Sequence, residues 1–290
     1  MKPPNESELR SLVRLLEDED PGSQDLVRRQ ILRIGEPVLP FLDDFRASCA
    51  ADLTPRVDNL ILELRFRRLR GEFVRYASSP EPDLETGAFL LCRFGYPGLK
   101  TAPYSAWLDE VAASVRESTV EKDDPYAMMQ VLNTHLFQKL GFTGNEDRYY
   151  DPDNSFLHRV IESRRGIPVS LSVLYLLAGK RLGLPMHGVG TPGHFLVAFR
   201  EPNQACFYID AFHRGRLLAA QDVRRMLVRT GYEFRPEYLE RSGTTEILAR
   251  MMRNLISLYH KAAAVERAEL LNSLLEIMQS GPAGRPRPKE

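Results

Sequence analysis

The chain has 290 residues, which is enough for one large domain or two modest ones with a buried core. Hydrophobic residues make up 43% of it and charged residues 27%, while 20 prolines and 19 glycines are too few for a low-complexity chain. The 39 basic residues balance the 39 acidic ones, so the formal net charge is zero and a nucleic-acid partner is not expected.

Neither end of the chain nor its interior resembles a membrane segment. The N-terminus, MKPPNESELR, lacks the apolar core of a secretory signal, and the longest strongly apolar stretch, Leu171 to Gly179, is far shorter than the ~20 residues that span a bilayer. The three cysteines, Cys49, Cys92 and Cys206, are far apart and form no CxxC pair. We therefore expect a cytoplasmic protein without membrane contact, disulfide framework or zinc knuckle.

Residues 1–72 have the apolar periodicity of short helices separated by turns. The pattern predicts helices within Leu9–Leu16 and Leu26–Ile34, and two more that begin behind Pro37 and Pro55. Gly35 is placed to end the second helix. The segment LVRLLEDEDPGSQDLVRRQILRIGEPVLPFL resembles a HEAT-type repeat, so we interpret 1–72 as a domain of HEAT-like hairpins.

Residues 73–236 are interpreted as one mixed domain of helices and strands. A helix is predicted over Tyr126–Leu140, and the polar run FTGNEDRYYDPDN after it is predicted to be a loop. Asn154 or Ser155 is then a candidate cap for a short helix that stops near Arg165.

The next segment predicts the centre of that domain. Pro168 suits the first turn of a helix, VSLSVLYLLAGKRL, which is apolar on nearly every side and is closed by Gly183. The runs MHGVG, HFLVAF and CFYID are typical of antiparallel strands. A buried helix packed on a small antiparallel sheet is an α+β arrangement.

The chain returns to helix at its end. Thr245–Tyr259 and Ala264–Met278 have apolar faces and a short polar join, so 237–279 is interpreted as one hairpin that resembles a tetratricopeptide repeat. The composition of residues 280–290, SGPAGRPRPKE, predicts a disordered tail.

Three positions of the central domain are placed to converge. Pro168 begins the buried helix, His194 begins one strand, and Asp210 ends the next. A helix N-terminus, an imidazole and a carboxylate are together suited to nucleophilic catalysis. The nucleophile itself is missing, because proline offers neither a reactive side chain nor a backbone N–H.

The central residues also resemble a known family. The run NSFLHRVIESRRGIPVSLSVLYLLAGKRLGLPMHGVGTPGHFLVAF, with LFQKLGFTGN before it and FYIDAFHRG after it, resembles the bacterial SirB-type proteins, a branch of the transglutaminase-like superfamily. The resemblance is close over 132–218 and implies a transglutaminase-like, papain-like core flanked by helical repeats.

The resemblance also implies a triad in which one member is lost. Catalytic members of the superfamily have a cysteine at the start of the central helix, about fifteen residues before a glycine that ends it, with histidine and aspartate on the next two strands. In this chain Gly183 is that glycine, so the cysteine position is Pro168, and the other two members are His194 and Asp210. None of the three cysteines lies where it could replace the missing thiol.

Other residues of this region are candidates for a nucleophile or a metal ligand. Ser172 lies on the same helix face as Pro168 but one turn deeper, and Ser170 points elsewhere. His187, His194, Asp210 and His213 are metal ligands by type, although their spacing follows no recognised metal motif and no cofactor is expected. Residues proposed to line a cleft beside the triad positions are Asn154, Arg165, Ser172, His187 and His213. His135, His158 and His260 are interpreted as surface or helix-end histidines.

The function that follows is a non-catalytic transglutaminase-like domain that binds another protein as an interaction or scaffold module. One alternative is a hydrolase or transamidase that uses His194 and Asp210 with Ser172 or a water molecule. A metal-binding protein is the third possibility.

Overall fold

The chain divides into two compact units, Met1–Glu72 and Phe73–Glu290, in a computed structural model that describes residues 4–18, 20–200 and 206–281. The predicted disordered tail therefore lies almost entirely outside the described residues. No helix among the described residues is both long enough and apolar enough to cross a bilayer.

The first unit is built from helices around its own apolar core. The helices α1 to α4 are Glu6–Arg14, Pro21–Ile34, Leu39–Arg46 and Thr54–Ala77, the last of which continues past the division. Gly35 ends α2 with a φ of 79°, as the sequence predicts. Pro37 lies in a separate 3₁₀ turn, Glu36–Val38, so α3 begins at Leu39 rather than directly behind that proline.

The second unit contains eight further helices in the described part of the chain. These helices, α5 to α12, are Leu84–Gly95, Ala102–Ser118, Pro125–Asn133, Leu157–Ser163, Pro168–Leu182, Ala220–Arg229, Thr244–Lys261 and Val265–Ser280. The helix α9, Pro168–Leu182, is buried along nearly its whole length, because its sequence offers an apolar residue on every side. The last two helices pack against each other as the predicted hairpin.

Two sequence-based predictions in this unit are wrong in detail. A single helix is predicted over Tyr126–Leu140, but the α-helix α7 ends at Asn133, and a π-helical turn, Thr134–Lys139, follows it. Asn154 and Ser155 do not cap α8, whose N-cap is Phe156. They lie instead in a 3₁₀ turn, Pro152–Ser155, because the Asn154 side chain is bonded to the loop before it.

A four-stranded antiparallel sheet carries His194 and Asp210. Its strands β3 to β6, Met186–Thr191, His194–Phe199, Phe207–Asp210 and Arg216–Leu218, pair in sequence order. A separate parallel pair joins β1, Thr143–Gly144, to β2, Arg165–Gly166. The loop predicted after α7 thus contains a strand, and β6 was not expected from the sequence.

The two faces of this sheet pack against different helices. On one face Leu196 and Tyr208 form a buried cluster with Val223 and Leu227 of α10. On the other face Met186 approaches α9 at Gly179 so closely that a Cβ there would be 2.8 Å from its sulfur. A central helix on a small antiparallel sheet, with helical flanks, confirms the predicted α+β class.

Candidate functional site

The ends of β4 and β5 bring His194 and Asp210 together. His194 begins β4 and Asp210 ends β5, and the antiparallel register sets these two strand ends side by side. The Nε2–H of His194 donates a hydrogen bond of 2.9 Å to Oδ1 of Asp210. The contact that the sequence predicts between these side chains is therefore present, and their roles in any chemistry remain a prediction.

A second histidine bonds to the same carboxylate. His213 lies in the turn between β5 and β6, where its Nδ1–H donates to Oδ2 of Asp210 over 2.7 Å and its backbone N–H donates to Oδ1 over 3.2 Å. The Asp210 side chain is 3% exposed, that of His194 12%, and that of His213 51%. One buried carboxylate is thus held between a largely buried and a half-exposed imidazole.

The two imidazoles keep Asp210 ionised. Burial alone would raise the pKa of its carboxyl, but the hydrogen bonds and positive charge that His194 and His213 can supply hold that pKa below its ordinary value. An ionised carboxylate only accepts hydrogen bonds, so the ring nitrogens that face it carry the protons.

One aromatic ring, that of Phe212, packs against both histidines. Phe212 meets the ring of His194 at 89° with centroids 6.1 Å apart, and the ring of His213 at 82° and 5.1 Å. The Phe212 carbonyl accepts a 2.9 Å hydrogen bond from the backbone N–H of Gly144 in β1. Because β1 pairs with β2, which ends two residues before α9, this bond connects the histidine cluster to the start of the buried helix.

The start of that helix offers no nucleophile. Pro168 is its first residue and is buried. The Ser170 hydroxyl is fully buried, accepts from the Ile167 N–H and donates to the Asn154 carbonyl over 2.6 Å. The Ser172 hydroxyl is also fully buried and donates to the Phe195 carbonyl over 3.4 Å. The expectation that Ser172 lines an open cleft is therefore wrong.

None of the cysteines is placed as an activated thiol. Cys92 lies in α5 and is fully buried, and burial raises its pKa to about 12 despite hydrogen bonds from the backbone of His158 and Leu157. Cys206 directly precedes β5, at the opposite end of that strand from Asp210. Cys49 lies in the first unit.

The remaining cleft residues are not brought together. Asn154 is buried, and its amide donates to the carbonyls of Arg148 and Tyr149, so it fixes a loop. Arg165 is an exposed residue of β2. His187 is half-buried near the start of β3 opposite Ala198, at the other end of the β3–β4 pair from His194. Burial lowers the pKa of its imidazole, as do Arg241 and Arg200.

The remaining histidines differ from one another. His260 is exposed near the end of α11, as expected, and His135 is half-buried. His158 is 2% exposed, so its interpretation as a surface residue is wrong, although it is the second residue of α8 and so lies at a helix end. Its burial could not be predicted from apolar periodicity, because the helix that carries it is only seven residues long.

Residues 102–253, which lie within the second unit, match the transglutaminase-like superfamily. A UPF0162 protein of Xylella fastidiosa is 35% identical over 207 residues, which are 69% of this chain and 73% of that protein. A UPF0162 protein of Pseudomonas aeruginosa is 30% identical over 206 residues, which are 70% of this chain and 74% of that protein. F-box only protein 21 of Homo sapiens is 29% identical over 157 residues, 52% of this chain and 24% of that protein. No solved structure matches the chain.

The buried helix, the antiparallel sheet and the histidine and aspartate on neighbouring strands define an α+β arrangement. With the matches above, the chain belongs to the transglutaminase-like superfamily.

Proposed function

We propose that this protein is a transglutaminase-like domain without a working nucleophile, which acts as an interaction module that binds another protein. The observation that carries the proposal is the proline at position 168, where the resemblance expects the catalytic cysteine. A proline cannot attack a carbonyl, and the two serines nearest to it are buried and hydrogen-bonded.

The domain organisation of one relative supports a role as an interaction module. The matching segment forms about a quarter of F-box only protein 21, so in that protein a related domain is joined to a much longer chain. The helices before and after the domain resemble HEAT and tetratricopeptide repeats, and stacked helical repeats present extended binding surfaces. We place the protein in the SirB-type branch of the superfamily and, because its cysteines are free, in the reducing cytoplasm.

A cysteine-free variant tests the proposal directly. We expect the Cys49→Ser, Cys92→Ala, Cys206→Ser triple variant to rescue a deletion strain as well as the wild type does, once the amounts of folded protein are equal. The Cys92 substitution removes one buried sulfur and should cost on the order of 1 kcal/mol, which the normalisation corrects. Loss of rescue by a folded triple variant would show that a thiol is required.

Site-resolved alkylation provides the matching chemical measurement. We expect iodoacetamide to modify Cys49 and Cys206 at the rate of ordinary thiols, and Cys92 only after unfolding, because Cys92 is fully buried. A fast, saturable modification of Cys206 in the native protein would contradict the absence of an activated thiol.

One specific observation favours a second candidate, a hydrolase or transamidase that uses a water molecule. The hydrogen bond between His194 and Asp210 is intact, and an aspartate in this position orients a histidine that acts as a base. The His194→Ala experiment described at the end of the Discussion distinguishes the two candidates.

A further inference from the structure

His213 is not explained by the triad resemblance, which accounts only for His194 and Asp210. Its imidazole nevertheless points at the same carboxylate, and the three side chains bring one ligand atom each to within 4.8 Å of one another. We propose that His194, Asp210 and His213 bind a divalent transition-metal cation of the Zn²⁺ class, independently of the interaction role proposed above.

The donor set fits such a cation. Two imidazole nitrogens and one carboxylate oxygen suit Zn²⁺ and its first-row neighbours, whereas Ca²⁺ and Mg²⁺ prefer oxygen donors alone. Zinc binds both donor types at about 2.0–2.2 Å, so small rotations of the three side chains bring all of them into reach of one ion. Because His213 is half-exposed, an ion can enter from solvent.

Binding requires a change of tautomer in both rings. Nε2 of His194 and Nδ1 of His213 now donate to Asp210, and each must present a lone pair to the cation instead. In a neutral ring the proton moves through solvent to the other ring nitrogen. The ionised carboxylate then loses two hydrogen bonds and gains one bond to the cation.

Thr191 is placed to accept a hydrogen bond from the Nδ1–H of His194 in the metal-binding tautomer. It is the direct cross-strand partner of His194, on the same face of the sheet, where paired Cβ atoms are about 5 Å apart. Thr191 is fully buried and its hydroxyl has no hydrogen-bond partner, although Arg250 donates to its carbonyl over 3.3 Å. Metal-bound histidines almost always donate their second N–H to an acceptor, and an unpartnered buried hydroxyl beside His194 can provide one.

The surroundings are those of an ordered site. Phe212 packs against both imidazoles and restricts their rotation, so the ligands are held by a rigid neighbour. The sequence could not indicate this arrangement from spacing, because the strand register brings His194 beside residues 16 and 19 positions later.

Metal titration of the full chain tests the proposal. The protein is purified without a polyhistidine tag, treated with EDTA and dialysed, and then titrated with Zn²⁺ by calorimetry and with Co²⁺ by visible absorption. We expect one Zn²⁺ per chain, a Co²⁺ spectrum typical of four or five nitrogen and oxygen ligands, and no saturable binding of Mg²⁺ or Ca²⁺. Absence of saturable Zn²⁺ binding would overturn the proposal.

Two variants locate the site. His213→Ala changes a half-exposed residue, so it should fold, and we expect it to weaken Zn²⁺ binding about a hundredfold or more. His260→Ala removes an exposed histidine elsewhere and should bind as the wild type does. If His213→Ala also binds as the wild type does, the metal lies elsewhere and the proposal is wrong.

Thr191→Val keeps the shape of the side chain and removes only the unpartnered hydroxyl. We expect it to weaken Zn²⁺ binding about tenfold, as loss of an outer hydrogen-bond partner does, while raising the thermal midpoint of the metal-free protein. Unchanged affinity in this variant would overturn the positioning role of Thr191.

Discussion

His158 is a buried histidine whose protonation the fold opposes. Its ring is packed edge-on against Tyr96, with centroids 4.5 Å apart, and against Tyr104 at 5.7 Å. Both ring nitrogens are buried without a hydrogen-bond partner. Burial, the largest effect, lowers the pKa of this imidazole below its ordinary value of 6.5, while the charge of Glu162 acts in the opposite direction.

Stability should therefore fall with pH below about 6.5. Below about pH 6.5 the unfolded chain binds a proton at His158, whereas the folded protein resists protonation. The contribution of neutral His158 to the free energy of unfolding is therefore complete above pH 6.5, and it is lost as the pH falls towards the lowered pKa. We expect His158→Phe to flatten the decline in unfolding free energy between pH 7 and pH 5. At pH 7.5 it should also stabilise the protein by ~1 kcal/mol, because two unpartnered nitrogens are removed.

Urea unfolding at several pH values measures this effect. His260→Ala is the matched control, because it removes a histidine that is exposed rather than buried. A His158→Phe profile that runs parallel to that of the wild type would contradict the assignment.

The turn between β5 and β6 depends on a glycine at position 215. Its φ is 73°, its N–H donates 2.8 Å to the Asp210 carbonyl, and its carbonyl accepts 2.9 Å from the Asn133 amide. A Cβ at this position would collide with the side chains of Asn133 and Phe137. This turn also carries His213, so the geometry of the cluster depends on it.

We expect Gly215→Ala to destabilise the protein by about 2–4 kcal/mol, as the sum of backbone strain and crowding. Gly183→Ala separates the two causes, because its φ is 72° but no heavy atom lies within 4 Å of the added carbon, so it should cost only about 1–2 kcal/mol. Gly98→Ala, with neither strain nor crowding, should be neutral within ~0.5 kcal/mol. Denaturant unfolding measures all three, and equal losses for Gly215→Ala and Gly183→Ala would rule out the crowding.

Sequence predicts the elements of this protein where one signal dominates. The start of α9 at Pro168 and its end at Gly183 follow from a first-turn proline and a left-handed glycine. The capping prediction at Asn154 is wrong because an asparagine side chain can serve a loop as well as a helix, and only tertiary contacts decide between them. The two-residue strands β1 and β2 are too short for any periodicity to predict.

Only part of the candidate site can be predicted from the sequence. His194 and Asp210 follow from the resemblance and from strand ends that the sequence marks well. The register of the strands decides which other histidine joins the site. His187 lies on β3 opposite Ala198, far from the end of the strand where His194 lies, whereas His213 lies beside Asp210. No pattern of ligand types alone separates these two histidines.

Substitution of His194 tests whether this residue contributes to the stability of the whole molecule or to catalysis. In an interaction module, His194→Ala removes one partner of a largely buried hydrogen bond and should cost on the order of 1–3 kcal/mol, while rescue of a deletion strain, normalised to folded protein, hardly changes. In an enzyme the pattern is reversed, because a catalytic base stabilises a transition state and need not stabilise the ground state. Urea unfolding in EDTA, which removes any contribution from bound metal, measures the first quantity, and complementation measures the second. An unchanged unfolding midpoint together with lost rescue would reject the interaction module and favour the water-using hydrolase or transamidase.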